Sequence, residues 1–185
     1  MNRLAALLLL FAAPAFSQST SELEGVYLAA GGGGGLLIAG DHSFAYDVEA
    51  RLGYSFSPGT QIYLAGALDG GTLPSQFLAG VNRAFRNFQV AAFIQYHLYA
   101  AARAPVMAYA RGGVGVGFGG PMPDLQADTN GVGLAFAGGL GLEIRLAKDF
   151  FLAPEFYYRN ATLTATASSG VAVQVIGLQL SAIYY

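Results

Sequence analysis

The segment Asp47–Phe56, DVEARLGYSF, separates into two rows of opposite character. Val48, Ala50, Leu52, Tyr54 and Phe56 are apolar without a break. Asp47, Glu49, Arg51, Gly53 and Ser55 alternate with them and are charged, small or polar. A period of two belongs to a strand whose side chains point to opposite faces. Only 11% of the chain is charged, and 54% is hydrophobic. Three charges on one strand therefore mark a face kept apart from everything the apolar row touches.

The alternation recurs along the chain. Phe88, Val90, Ala92, Ile94, Tyr96 and Leu98 share one face, opposite Gln89, Ala91, Phe93, Gln95, His97 and Tyr99. In Val106–Phe118, Arg111 opposes an apolar row. In Gly131–Leu146, Val132, Leu134, Phe136, Leu140, Leu142, Ile144 and Leu146 oppose Glu143 and Arg145. Leu152, Pro154, Phe156 and Tyr158 oppose Glu155, Tyr157 and Arg159. Val171–Tyr185 ends the series with Ile176, Leu178, Leu180, Ala182 and Tyr184 on one face. The mean hydropathy is +0.46, yet beyond the amino terminus no apolar run reaches the eighteen residues a spanning helix needs. Alternating segments near ten residues long, separated by turn residues, form the pattern of a membrane β-barrel. Hydrocarbon satisfies no backbone group, so such strands close on themselves. The apolar row then faces lipid and the charged row faces the interior.

Connection lengths give the topology. Short ones lie at 57–60, 101–105 and 147–149, and longer ones at 39–44, 69–87, 119–130 and 162–170. Their alternation predicts eight antiparallel strands with both chain ends on the short-turn, periplasmic side. The segment Pro74–Asn87 carries Phe77, Val81, Ala84 and Phe85 at helical spacing and is assigned to a long external loop with room for a helical turn, a bent extension of a neighbouring strand being the alternative.

The first residues, MNRLAALLLLFAAPAFSQS, combine Arg3, a short apolar stretch over Leu4–Ala13 and small residues at Ala15 and Ser17. This is the pattern of a secretory signal over 1–17, cleaved before Gln18, with a cut after Ala15 as the alternative. The barrel domain then covers 18–185. The chain has no cysteine, which excludes disulfides and thiolate metal sites. A net charge of −2 without a basic patch gives no nucleic-acid signal.

Several segments resemble the small eight-stranded outer-membrane barrels of the OmpA/OmpX type. These are GVYLAAGGGG opening the first strand, APVMAYARGGVGVG opening the fifth, GLGLEIRLAKDFFLAPEFYYR across the sixth and seventh, and an amphipathic last strand ending on Tyr185. The resemblance spans essentially the whole mature chain. It implies an outer-membrane location, contact with membrane lipids, and handling by the barrel assembly machinery through a carboxy-terminal signal at Tyr184 and Tyr185. Tyr184 ends the apolar row, so Tyr185 falls on the opposite face. The family includes scaffold, pore, adhesive and enzymatic members.

No catalytic, cofactor or metal site is read in the sequence. Asp41, His42 and Ser43 are adjacent in a loop signal and fit turn chemistry, not a triad, because neighbouring loop residues rarely aim at one another. The deacylase pattern within the family places a His-Ser pair late in the chain, and none exists here. Gly31–Gly35 lacks the Lys-Ser/Thr and helix of a phosphate loop. These glycines, with those at 113–117 and 138–141, relieve crowding in a curved sheet. His97 and Gln95 are read as hydrogen-bonded lumen residues.

The constellation that remains is the inward charge row: Asp47, Glu49, Arg51, Arg111, Glu143, Arg145, Glu155 and Arg159. Both signs are nearly equal, and unpaired charge in a narrow interior is costly. Arg111, Glu143 and Glu155 are expected in one network on the fifth, sixth and seventh strands: Arg111 is six residues past Pro105 and Glu155 six past Asp149, so the two lie at similar depth, with Glu143 somewhat nearer the periplasmic end. An eight-stranded barrel is filled by its own side chains. The expected function is structural, or the presentation of external loops 69–87 and 119–130 to a partner, by a monomer without enzymatic activity. A small gated pore is the alternative, and a lipid A-modifying enzyme is the third class.

Overall fold

A computed structural model describes residues 23–39, 41–57, 59–74, 82–99, 104–120, 131–164 and 171–185. Eight strands follow one another: β1 (Gly25–Ala39), β2 (Asp41–Ser57), β3 (Thr60–Pro74), β4 (Asn82–Tyr99), β5 (Val106–Gly120), β6 (Gly131–Arg145), β7 (Phe150–Thr164) and β8 (Val171–Tyr184). Each pairs antiparallel with its sequence neighbour, and β8 returns to β1 from Leu28↔Tyr184 to Ile38↔Gln174. Closure leaves no sheet edge, which is the condition for placing strands in hydrocarbon.

The two rows divide as their alternation requires. In β2, Val48, Leu52, Tyr54 and Phe56 are exposed on the outside, while Asp47, Glu49, Arg51 and Ser55 are buried inside. Leu64, Ile94, Val114, Leu134, Leu140, Phe156 and Leu178 continue the outer surface around other strands. Such continuous apolar exposure suits lipid, not water. The protein is a transmembrane β-barrel.

The short connections gather at one end and are stitched together there. His97 N donates to the Gly59 carbonyl oxygen at 3.0 Å, Arg145 N to Pro105 O at 2.8 Å, and Tyr185 N to Asp149 O at 3.0 Å. The ladder shifts register near this end, between Ser55 and Ser57 and between His97 and Tyr99.

The strands run 14 to 18 residues, not the ten the sequence reading gives them. Fifteen residues span about 50 Å along a strand, and tilted by about 40° they rise about 38 Å, beyond an apolar band of about 25 Å. The excess lies at the long-connection end and takes over residues assigned to loops. Asp69–Pro74 belong to β3 and Asn82–Asn87 to β4, paired from Asp69↔Asn87 to Pro74↔Asn82. The helical turn assigned to Pro74–Asn87 is therefore corrected over its described part: Ala84 points outward and Phe85 is buried inward. His42 and Ser43 are not loop residues either, since they pair with Ile38 and Leu37 in the β1–β2 ladder. Gly119 and Gly120 extend β5, and Thr162–Thr164 extend β7. Cross-strand hydrogen bonds hold both sides of each hairpin at once, which outweighs local turn propensity. The signal segment 1–17 and residues 75–81 and 121–130 lie outside the described residues.

The interior has two apolar clusters. Tyr27, Tyr63, Phe93, Met107, Phe151 and Ile183 pack toward the short-turn end. Leu37, Phe85, Leu163, Val173 and Val175 pack toward the other end. The charged row occupies the space between.

Candidate functional site: the charged lumen

The charges come from strands around the barrel. β2 supplies Asp47, Glu49 and Arg51, β3 supplies Asp69, β5 supplies Arg111, and β7 supplies Glu155 and Arg159. All are at most 7% exposed. Alternation aims them inward, and closure brings strands distant in sequence across from one another.

Glu49 is the centre. It receives Arg111 Nη1 at 2.8 Å and Arg111 Nη2 at 3.2 Å. Arg159 Nη2 donates to Glu49 Oε2 at 2.8 Å, and Arg51 Nε donates to Oε1 from the same strand. Three guanidinium groups thus share one carboxylate. Glu155 is the second hub, bonded by Arg111 Nε at 2.7 Å, Arg51 Nη2 at 3.1 Å, the Tyr109 hydroxyl at 2.5 Å and Gln179 Nε2 at 3.1 Å. Arg159 extends the network upward to Asp69 Oδ1 at 2.5 Å and Asp47 Oδ2 at 3.4 Å. Its guanidinium also lies 4.2 Å from the Tyr157 ring centroid. Multiple charge-assisted bonds per ion are what a desolvated charge needs to persist.

Glycines make the room. A methyl at Gly139 would stand 2.6 Å from Glu155 Oε1, and one at Gly141 would stand 2.6 Å from the Tyr109 hydroxyl oxygen. The side chain β6 omits at these positions is the space that Glu155 and Tyr109 occupy.

Glu143 is buried but bonds a different set. Gln95 Nε2 donates to it at 2.7 Å and the Tyr185 hydroxyl at 2.8 Å. His97 Nε2 lies 3.1 Å away without hydrogen-bond alignment. Gln61 donates to the Tyr185 hydroxyl. The expectation that Glu143 joins Arg111 and Glu155 is corrected: it sits beside Met107 in the ladder, nearer the short turns, and anchors a satellite cluster. Gln95 and His97 are in that cluster. Tyr185 points inward against Tyr27 and Phe151, and Tyr184 points outward.

Arg145 is also corrected. It is only partly buried, donates to the Lys148 carbonyl oxygen at 2.8 Å, and lies over the Phe151 ring. As the last residue of β6 it is inward by parity but sits at the mouth, where turn carbonyls compete for it.

Asp69, Tyr63, Tyr109, Asn87 and Gln179 escaped the sequence reading of the site. Asp69 heads an Asp-Gly-Gly sequence that signals a turn. Its parity with Gln61, Tyr63, Ala65 and Ala67 was the available signal, because that row is buried throughout.

No family model matches the sequence, and no curated protein matches it. Solved structures do. Neisserial surface protein A superposes with a TM-score of 0.64 at 11% identity, over 89% of this chain and 98% of that one. The fold is that of the small outer-membrane barrels. The N-terminal barrel domain of Pseudomonas aeruginosa OprF matches at 0.51 and 11% identity, covering 87% of this chain and 98% of that one. Yersinia pestis Ail, in complex with the heparin analogue sucrose octasulfate, matches at 0.51 and 16% identity, covering 87% and 99%. At such identities the likeness is one of backbone, and the barrel's charged lumen is read from this chain's own residues.

Proposed function

We propose that the protein is an integral outer-membrane barrel, exported through its amino-terminal signal, that acts as a non-conducting scaffold displaying its long connections outside the cell. The observation that carries this reading is the layering of the lumen. An apolar cluster stands on each side of a network in which every arginine bonds at least two carboxylates. Water or ions crossing the barrel would have to displace both apolar layers and part the charges. The segments offered to an external partner are 69–87 and 119–130, whose tips lie outside the described residues. Tyr184 and Tyr185 serve the assembly machinery in this reading, and the protein works as a monomer without an enzymatic step.

A gated pore is the second reading. It is favoured by Glu49, whose three arginine partners offer alternative pairings on one carboxylate. Planar-bilayer recordings separate the two. A silent wild-type protein that stays silent in Arg111→Met supports the scaffold. Steady or voltage-dependent conductance that rises in Arg111→Met supports the pore. Lipid A mass spectrometry with and without expression tests the absence of an enzymatic step, and any modified lipid overturns it.

A further inference from the structure

The outward rows of the described strands carry one charged side chain. Among the described residues, Arg86 is the one Lys, Arg, Asp or Glu on an outward strand row. It is exposed on β4, and no described carboxylate pairs with it. Its ladder partners are Gly70 on β3 and Gly120 on β5, so no neighbouring side chain covers it directly. Toward the barrel middle it adjoins a groove of about 340 Å³ lined by Leu68, Phe88, Phe118, Gly120 and Val132. Phe88 and Phe118 face each other there with ring centroids 6.4 Å apart. On the other side, the Tyr46 ring lies across Gly70: a methyl on Gly70 would meet the Tyr46 hydroxyl oxygen at 2.3 Å.

We propose that Arg86 and Tyr46 bind the phosphate of an anionic lipid whose acyl chain lies in the groove beneath. Aromatic rings and a snorkelling arginine together mark the depth where headgroup meets hydrocarbon. A guanidinium at that depth needs a counter-charge, and its fork matches phosphate oxygens bidentately. Gly120 beside it lets a headgroup approach the sheet closely, while the Tyr46 hydroxyl fills the space over Gly70 on the other side. The groove below is apolar, as an acyl chain requires, and the site lies at the long-connection end, in the outer leaflet under the orientation proposed above.

The inference rests on the outward face meeting lipid, and the test distinguishes the two. The full chain is folded into detergent micelles and titrated with phosphatidylglycerol and phosphatidylcholine of identical acyl chains, and bound lipid is counted by native mass spectrometry. The wild type should retain phosphatidylglycerol roughly fivefold over phosphatidylcholine, the worth of one basic residue at a membrane surface. Arg86→Gln should bring the ratio to about one, and Tyr46→Phe should lower it partly. Lys148→Gln, at the opposite end of the barrel, should leave it unchanged. A wild-type ratio near one, or a preference that survives Arg86→Gln, overturns the site. A chain that folds in water and takes up neither lipid overturns the membrane reading itself.

Discussion

Arg111 and Glu155 bond across an intervening strand: Nε lies 2.7 Å from Oε1 although β6 separates β5 from β7. Arg111 pairs in the ladder with Gly139, and it is over this glycine that the two side chains meet. A double-mutant cycle of Arg111→Met with Glu155→Gln, followed by urea unfolding in detergent, should give a coupling of about 1–3 kcal/mol. Each single substitution should cost more than the pair implies, because it strands a buried charge. A cycle of Arg111→Met with Glu143→Gln should give a clearly smaller coupling, since Glu143 bonds Gln95 and Tyr185 instead. Equal couplings would place all three residues in one network.

Gly139 carries a prediction of its own. Gly139→Val should destabilise the barrel by about 1–3 kcal/mol, the usual cost of overpacking. The added atoms fall where the Glu155 carboxylate sits. In a Glu155→Ala background the valine should cost less. An unchanged urea midpoint for Gly139→Val alone would show that Glu155 has room to move elsewhere.

The lipid face has a depth profile. Counting about ten residues from the short turns as the spanning part of β6 puts the midplane near Leu140 and the interface near Ile144. Leu140→Arg should then cost roughly 2–4 kcal/mol and Ile144→Arg about 0–1 kcal/mol. Cysteines placed singly over 139–146 should react with a lipid-soluble maleimide at 140, 142 and 144 and resist it at 139, 141 and 143. Reactivity without a period of two would contradict the register.

Orientation is tested on whole cells. An epitope inserted within 121–130 should be reached by antibody, and one at Asp149 in the tight turn should be reached only after the outer membrane is opened. Surface labelling at Asp149 would invert the barrel.

The alternation in DVEARLGYSF was enough to say which side chains point in and which point out, because period two follows from strand geometry alone. The same holds for Leu140, Leu142 and Gln95. Strand number and the end carrying the tight turns followed from Ser57-Pro58-Gly59-Thr60 and Ala147-Lys148-Asp149, whose turn chemistry is local. Strand length was not legible. Asp69-Gly70-Gly71 and Gly119-Gly120 carry turn residues, yet they extend strands, since they pair with Asn87, Arg86 and Phe85 and with Asn87 and Arg86, well outside their own local turn.

By itself, then, the sequence determined a two-faced sheet that must close, with its charges inside. Which charges meet across the lumen, from strands distant in the sheet, was decided only by closure. Glu49 and Arg159 are 110 residues apart, and Arg51 and Glu155 are 104 apart, yet each pair is in contact. Parity says only that each side chain enters the lumen. Counting from the short turns already put Arg111 level with Glu155 and Glu143 nearer the turns, but only the stagger accumulated from strand to strand around the barrel brought Glu143 to Tyr185 and set Arg145 at the mouth.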